Sequence, residues 1–253
     1  MHENDDSLQD FWNSIADDWQ IQVGDDGDEN RRLNSDPVLW KFAGDVRGLR
    51  VLDAGCGTGY LMKKLHDRGA RVTGVDFSER MLTVARKLNP SIDFRMDSCA
   101  ELRTCRDEEF DLIVSNYVLM DVEDLEGCVN AFARVLKPRG TAVTVFSHPC
   151  FPQGAARIPQ ADSCRVAYRW DFSYFERRRC IDPPWSHFKT EFIWFHRPLS
   201  DYWDAFSAAG FSVEKFAEPR LTEETSHLAR DECARTQNAT RPYSVAFHLR
   251  KMA

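Results

Sequence analysis

The sequence predicts an α/β fold in which a mostly parallel sheet carries helices on both faces. Short apolar segments alternate with amphipathic helical segments between residues 50 and 147, a rhythm typical of parallel strands joined by helical crossovers. The first apolar segment runs into a glycine-rich turn at residues 53–59, where sheets of this kind often begin a ligand site. A length of 253 residues suits one such domain with additional segments.

Periodicity and end signals predict the individual elements. Ser78 is a suitable N-cap for a helix that stops before Pro90, and Gly69 is a suitable C-cap for the preceding helix. Apolar and β-branched runs predict strands at residues 50–53, 71–76, 92–96, 110–115, 141–147, 211–216 and 243–249. Helical spacing predicts helices at residues 60–68, 79–88, 125–136 and 199–209.

The regions outside this alternation predict two additions to the core. Apolar side chains from Leu8 to Trp19 recur at helical spacing, which indicates an N-terminal helix. The segment after the fifth strand is rich in Pro, Arg and aromatic residues and has no clean period, so we interpret it as an insert. The predicted organisation is a helical lid at 1–44, a core at 45–147, a cap at 148–198 and completion of the core sheet at 199–253.

Composition excludes several classes of function. The net charge of −7 disfavours a general polyanion binder, so nucleic acid is not an expected partner. No apolar run approaches the roughly 20 residues that span a bilayer. The first residues are acidic and polar, so we expect no signal peptide, no membrane partner and a cytoplasmic location. The eight cysteines include no C-x-x-C pair, which predicts free thiols and no metal site.

The turn after the first strand, D-x-G-x-G-x-G at residues 53–59, is the strongest chemical signal. Glycines let the backbone approach a ligand closely, and the next helix points its N-terminus at the same place. The dinucleotide pattern G-x-G-x-x-G requires its third glycine one residue later, which argues against a nicotinamide dehydrogenase. Asp76 ends the second strand about 20 residues further on, where a carboxylate can accept ribose hydroxyls.

This loop resembles motif I of the class I S-adenosylmethionine-dependent methyltransferases, in particular the small-molecule, type 11-like group. Residues 115–119 stand at the motif IV position of that family, and residues 136–140 match its loop before the fifth strand. The resemblance implies a Rossmann-like, seven-stranded sheet with a reversed last strand. It also implies that S-adenosylmethionine is the cofactor and S-adenosylhomocysteine the product.

The resemblance assigns the cofactor contacts by position. The glycines would face the methionine end, Asp76 the ribose, Phe77 the adenine face and Asp97 the adenine edge. Arg31 could reach the cofactor carboxylate, with an ordinary surface position as the alternative. The full predicted set is Asp53, Gly55, Cys56, Gly57, Gly59, Asp76, Phe77, Met81, Asp97, Ser98 and Asn116.

The methyl acceptor is expected near the ends of the fourth and fifth strands. Tyr117 could orient an acceptor through its hydroxyl, and His148 could deprotonate one, because histidine titrates near neutrality. The alternatives are a packing aromatic and a structural hydrogen-bonding histidine. The aromatic insert favours an apolar or planar acceptor, although its rings could simply form a core of their own. The predicted substrate-binding residues are Tyr117, His148, Trp185, His187, His196 and Tyr202.

The sequence therefore predicts methyl transfer from S-adenosylmethionine to an oxygen or nitrogen of a small molecule, for example a natural-product intermediate. An RNA or protein acceptor is the first alternative. A non-methylating subunit that binds S-adenosylmethionine is the second. The oligomeric state is open between a monomer and a homodimer.

Overall fold

The computed structural model of the chain describes residues 3–152, 157–159 and 164–252. The strands of these residues are β1 (Arg50–Ala54), β2 (Arg71–Asp76), β3 (Asp93–Met96), β4 (Phe110–Asn116), β5 (Leu136–Ser147), β6 (Arg157–Pro159), β7 (Val166–Tyr168), β8 (Arg178–Asp182), β9 (Phe192–His196), β10 (Phe211–Ala217) and β11 (Ser244–Lys251). The helices are α1 (Glu3–Val23), α2 (Asp36–Ala43), α3 (Tyr60–Asp67), α4 (Glu79–Leu88), α5 (Leu125–Val135), α6 (Leu199–Ala208) and α7 (Glu232–Thr240).

Seven strands form the central sheet in the order β10-β11-β5-β4-β1-β2-β3. The pairs from β5 to β3 are parallel, whereas β11 lies antiparallel to both β5 and β10. The order reverses between β1 and β4, so the carboxyl ends of these strands leave a crevice between their loops. This sheet is the one that the sequence predicts, including its reversed last strand.

Helices cover both faces of the sheet with apolar side chains. On one face, Phe132 of α5 and Phe206 of α6 join a cluster that includes Phe146 and Phe247. On the other face, α2, α3 and α4 contribute a second cluster, with Leu65 among its buried members. The core therefore lies on both sides of the strands, which explains why their sequences read as nearly continuous apolar runs.

Side chains cap the starts of three helices, one of them at the residue that the sequence predicts. The Ser78 hydroxyl accepts a hydrogen bond from the Met81 backbone N–H at 3.1 Å, as predicted for the start of α4. Asp124 and Asp231 accept equivalent bonds from the third residue beyond them at the starts of α5 and α7. These bonds satisfy backbone donors that have no partner within the helix.

Helix α1 is longer than predicted and lies along α4. The Gln9 amide donates to the Phe77 carbonyl at 2.6 Å, and Asp17 pairs with Arg80 at 2.6 Å. A third apolar cluster joins α1 to α4 and to the insert, with Phe11, Ile15, Ala16, Met81 and Phe188 as its buried members. The N-terminal helix is therefore fastened to the core and to the insert at the same time.

The insert contains two short hairpins that the sequence did not reveal. Strands β6 and β7 pair antiparallel, and so do β8 and β9. These strands have only three to five residues, too few for alternation to be recognised. Helix α7 was also not predicted, since Glu232–Thr240 is polar and carries no apolar stripe.

One cysteine pair corrects the expectation of free thiols. Cys164, just before β7, forms a disulfide with Cys233 of α7, whereas six other cysteines are free. The two sulfurs are 69 residues apart in the chain, so spacing alone could not indicate the pairing. Across the described residues, none of the helices has the length and apolar character required to cross a bilayer.

Replacing Phe247 tests the packing of the reversed strand. Its ring is fully buried on β11 and contacts the rings of Phe146 and Phe206. We expect Phe247→Ala to lower the free energy of unfolding by about 3–5 kcal/mol, because it removes a large buried ring and leaves a cavity. Urea denaturation measures this change.

The matched control is Phe175→Ala, since Phe175 is 79% exposed. Its loss should stay within about 0.5 kcal/mol. Equal losses for the two variants would contradict the described position of β11.

Candidate functional site

A cavity of about 720 Å³ opens where the sequence predicts a ligand, at the carboxyl ends of β1, β2 and β4. Its walls include the glycine-rich loop after β1, the turn after β2 and the segment after β4. Trp12 and Trp19 of α1 line the cavity, and a Cβ at Gly57 would lie 3.7 Å from the indole nitrogen of Trp19. The N-terminal helix therefore forms one wall of the site.

Asp76 joins the two loops that form the floor of the cavity. Its Oδ2 accepts the Gly57 N–H at 2.8 Å, and its Oδ1 accepts the Ser78 N–H at 2.9 Å. Burial raises the pKa of this carboxyl to about 6, although the backbone donors oppose the shift. Each oxygen keeps a second lone pair, so the carboxylate can still accept from a ligand hydroxyl.

Gly55 occupies a position that no other residue can fill without strain. Its φ of +80° lies in the left-handed region. A Cβ at this position would stand 2.4 Å from a methyl carbon of Val118. The loop therefore needs glycine both for its backbone conformation and for its close approach to the segment after β4.

Several buried polar atoms around the loop have no protein partner. They are Oδ2 of Asp53, Oγ1 of Thr58 and Oδ1 of Asn116. Burial, with a smaller contribution from Asp76, raises the pKa of Asp53 to about 8. An unpaired buried acceptor costs about 1–3 kcal/mol, so a ligand that brings hydrogen-bond donors would bind here favourably. A cationic amine matches this need.

Tyr117 lines the cavity in a strained backbone conformation. Its φ is +59°, which is uncommon for a residue with a side chain. Its hydroxyl shares a 2.6 Å hydrogen bond with the Ser244 hydroxyl. Burial raises the pKa of Tyr117 to about 12, so the phenol stays protonated near neutral pH and can orient a ligand but not act as a base.

Arg31 is a buried wall of the cavity and not a surface residue. It is only 7% exposed, forms a 2.8 Å ion pair with Asp28, and lies in a short π-helical turn at Arg31–Ser35. Its guanidinium lies 5.3 Å from the ring centre of Trp19 and 5.7 Å from that of Tyr117. The single-sequence pattern contains no signal for this burial, which arises from the turn that follows α1.

Most of the predicted cofactor residues line the cavity together. Those that do are Asp53, Gly55, Cys56, Gly57, Asp76, Phe77, Met81, Ser98 and Asn116. Gly59 does not line the cavity. A Cβ at Gly59 would meet Asn89 and Phe94, so this glycine allows α3 to pack closely on the core. Asp97 is also absent from the wall, and its Oδ2 accepts the Thr104 N–H at 2.6 Å.

The structure places His148, the predicted catalytic base, outside the residues that line the cavity. Its Nδ1 accepts the Cys150 N–H at 3.1 Å, and its Nε2 lies 2.9 Å from a carboxylate oxygen of Glu218. These two contacts leave the ring no free lone pair. Burial also lowers the pKa of His148. The histidine therefore holds the segment after β5 in place.

Of the predicted acceptor residues, Tyr117 lines the cavity, whereas Tyr202, His196, Trp185 and His187 do not. Tyr202 is buried in the core and stacks on Phe146, with ring centres 4.2 Å apart. His196 is buried within the insert, and its Nε2 donates to the Tyr174 carbonyl at 2.9 Å. The remaining two, Trp185 and His187, pack on Phe188, and His187 reaches the Asp18 carbonyl of α1.

Asp121 is a cavity residue that the sequence reading missed. It follows β4 by five residues, lines the wall near Val118, and is half-buried. Burial raises the pKa of its carboxyl well above the usual value, and Arg197 partly opposes this shift. Carboxylates also dominate the nearby rim, which includes Arg103 together with Glu101, Glu123, Asp124 and Glu126. The run of acids at residues 121–126 was the available signal.

Known proteins are similar to this chain in sequence and in structure. Residues 52–144 match the family model Methyltransf_11, described as a methyltransferase domain. A solved S-adenosylmethionine-dependent methyltransferase from Mesorhizobium loti is 26% identical, with a TM-score of 0.73 over 90% of this chain and 100% of that one.

Two curated relatives match the same region of the chain. The ubiquinone biosynthesis O-methyltransferase of Hahella chejuensis is 40% identical over 95 residues, which are 36% of this chain and 40% of that protein. The demethylmenaquinone methyltransferase of Tropheryma whipplei is 40% identical over 113 residues, which are 43% of this chain and 46% of that protein. The chain thus spans less than half the length of these relatives. The matches confirm the resemblance stated from the sequence.

Substitution of Gly55 tests the close approach of the loop to Val118. We expect Gly55→Ala to destabilise the chain by more than Gly210→Ala, which has a similar φ of +82° but open space at the Cβ position. The difference measures the clash, for which overpacking typically costs about 1–3 kcal/mol. Urea denaturation of both variants provides the values.

The double variant Gly55→Ala with Val118→Ala separates the clash from backbone strain. It should recover part of the loss, because the methyl carbons that a Cβ would meet are gone. Strict additivity of the two substitutions would contradict the described contact.

Proposed function

The chain belongs to the class I S-adenosylmethionine-dependent methyltransferases, and from this premise we propose that it methylates an oxygen or nitrogen of a small molecule with an apolar or planar ring. The proposal rests on one observation. The same cavity is lined by the glycine loop, by unpaired acceptor atoms and by aromatic side chains. The first two features suit the cofactor, and the third suits the acceptor.

The residues of the cavity fit the cofactor on chemical grounds. Asp53 and Asn116 offer buried, unpaired acceptor oxygens to the ammonium group, and Arg31 offers a guanidinium to the carboxylate. Asp76 is placed to accept ribose hydroxyls, and Phe77 offers a face to the adenine. When bound, S-adenosylmethionine supplies an activated methyl group on a sulfonium for in-line displacement.

Aromatic side chains support a planar or apolar acceptor. Trp12, Trp19 and Tyr117 line the cavity beside the loop after β4. Rings of this kind bind flat ligands through stacking and edge contacts. The names of the two curated relatives, which refer to ubiquinone biosynthesis and to demethylmenaquinone, favour a ring-bearing acceptor as well.

Asp121 takes the role that the sequence analysis gave to His148. Its carboxyl is on the cavity wall, and burial raises its pKa, which makes the carboxylate a stronger base than an exposed one. Because Tyr117 keeps its proton, it orients the acceptor while Asp121 receives the proton from an acceptor hydroxyl or amine. Methyl transfer then needs alignment and exclusion of water more than it needs further groups.

The rim of the cavity argues against RNA as the acceptor. The side chains of Glu101, Asp124 and Glu126 stand there with one arginine, Arg103. A wall with this excess of carboxylates repels a phosphate backbone. A small neutral or cationic acceptor meets no such penalty.

A radioactive methyl-transfer assay tests the proposed activity. With tritiated S-adenosylmethionine, we expect label to move to a ring hydroxyl or amine of a quinone precursor or a related aromatic compound. Failure of the pure chain to bind either S-adenosylmethionine or S-adenosylhomocysteine would overturn the proposal. Tight binding without transfer to any small-molecule fraction would instead favour the non-methylating subunit.

Replacement of Asp121 tests the assignment of the base. Asp121→Asn should lower kcat by about 10²–10⁴-fold, the usual contribution of a general base. The affinity for S-adenosylhomocysteine, measured by calorimetry, should stay unchanged. Glu126→Gln is the matched control on the rim and should leave kcat near that of the parent chain. A parent-like kcat in Asp121→Asn would remove Asp121 from the mechanism.

The protonation of Asp53 makes cofactor binding depend on pH. At pH 7 this carboxyl is mostly protonated in the free chain, because burial raises its pKa to about 8. A bound ammonium favours the carboxylate, so binding of S-adenosylhomocysteine should release a fraction of a proton and tighten as the pH rises from about 6 to about 8.

Calorimetry in Pipes and in Tris, which have different ionisation enthalpies, measures this release. Asp53→Asn cannot ionise, so its binding heat should no longer depend on the buffer and its affinity should fall. A buffer-independent heat for the parent chain would show that Asp53 does not titrate on binding.

A further inference from the structure

Two arginines meet beside α7, outside the walls of the cavity. Arg157 of β6 donates to the Gln237 side-chain oxygen at 2.7 Å, and Arg241, which follows α7, lies 3.4 Å from the same oxygen. Arg241 also donates to the Tyr243 hydroxyl at 3.0 Å. Its guanidinium lies 5.6 Å from the ring centre of Tyr168, the residue opposite Arg157 in the β6–β7 pair.

This arginine cluster, formed by Arg157, Tyr168, Gln237, Arg241 and Tyr243, contains unpaired polar atoms. The Nε atoms of both arginines and the Tyr168 hydroxyl are buried and have no hydrogen-bond partner. Within the described ranges, no carboxylate lies within ion-pair distance of either guanidinium. Two positive charges therefore share one neutral amide oxygen.

Such an arrangement is unfavourable unless an anion completes it. Both arginines are half-buried, so their like charges repel with only partial screening by water, and the buried Nε–H of each lacks a partner. Guanidinium groups in pairs match oxyanions, because each presents a fork of N–H donors to two oxygens. Burial raises the pKa of Tyr168, while the nearby Arg241 and Arg157 lower it, so the phenol feels both charges and remains a donor.

The covalent structure holds the arginine cluster in place. The disulfide between Cys164 and Cys233 ties the start of β7 to α7, which carries Gln237. Asn238 of the same helix donates to the Ala234 carbonyl, and its side-chain oxygen accepts from Asn34 of the turn that contains Arg31. The two arginines are thus presented by connected elements, which lowers the entropic cost of binding between them.

We propose that Arg157 and Arg241 form an oxyanion-binding site that takes a carboxylate or phosphate group of a small molecule, with the Tyr168 hydroxyl as a third donor. The site is joined to the cavity through the chain, since Ser244, next to Tyr243, bonds to the Tyr117 hydroxyl. The proposal stands independently of methyl transfer.

Calorimetric titration with inorganic phosphate, and separately with benzoate, tests the site. The parent chain should bind at least one of the two with a one-to-one stoichiometry. Arg157→Gln and Arg241→Gln should each weaken that binding by about tenfold or more, since a hydrogen bond to a charged group contributes about 1.5–3 kcal/mol. Arg71→Gln removes an exposed arginine and should leave the affinity unchanged.

The pattern of binding decides both the ligand class and the proposal. Binding of phosphate alone assigns a phosphate group, and binding of benzoate alone assigns a planar carboxylate. Absence of both, or equal affinities in the parent chain and both glutamine variants, would overturn the site. The affinity for S-adenosylhomocysteine should stay parent-like in each variant, which shows that the variant is folded.

Two further variants close the remaining alternatives. Arg241→Lys keeps the charge but loses the fork, so its affinity should lie between those of the parent and Arg241→Gln. Asp162, outside the described residues, is the nearest carboxylate in the sequence to Arg157. Phosphate binding by Asp162→Asn with none by the parent chain would mean that this residue already neutralises the pair, and would reject the proposal.

Discussion

The carboxylate of Asp76 is the constraint on which the site depends. By accepting the Gly57 N–H and the Ser78 N–H, it fastens the loop after β1 to the turn after β2. The two loops follow neighbouring strands of the sheet, so one buried side chain fixes the distance between the two loops. The cost of burying this carboxyl is visible in its raised pKa, and backbone donors offset part of that cost. A ligand that enters the cavity therefore meets a preformed floor.

The parts predicted from sequence are those dictated by local physical rules. Strand β2 has the predicted bounds, because its apolar run ends at a charged residue, and α4 begins at its predicted cap. Strand β5 begins five residues earlier than expected, since Leu136 already pairs with Phe110 across an irregular register. Gly55 and Gly57 could also be predicted from a local rule, because a sharp turn needs glycine.

The features that the sequence did not predict depend on contacts between residues that are far apart in the sequence. His148 stands at the predicted strand end, but strand position does not determine what its ring nitrogens contact, and Glu218 is 70 residues away. The burial of Arg31 depends on Trp19 and Tyr117, whose rings lie beside its guanidinium. The disulfide joins cysteines that are 69 residues apart in the sequence, a separation similar to that of His148 and Glu218. Periodicity describes neighbours along the chain and carries no information on contacts between residues far apart in the sequence.

The division between local and distant contacts also runs through the cavity wall. The loops after β1, β2 and β4 form one part of the wall, whereas Arg31 comes from the turn after α1. Helix α1 adds Trp12 and Trp19 to the wall, and α1 packs on Phe188 of the insert through a shared apolar cluster. The ring centres of Trp19 and Phe188 are 6.1 Å apart, so packing connects the insert to the cavity wall. The shape of the cavity therefore depends on residues that do not line it.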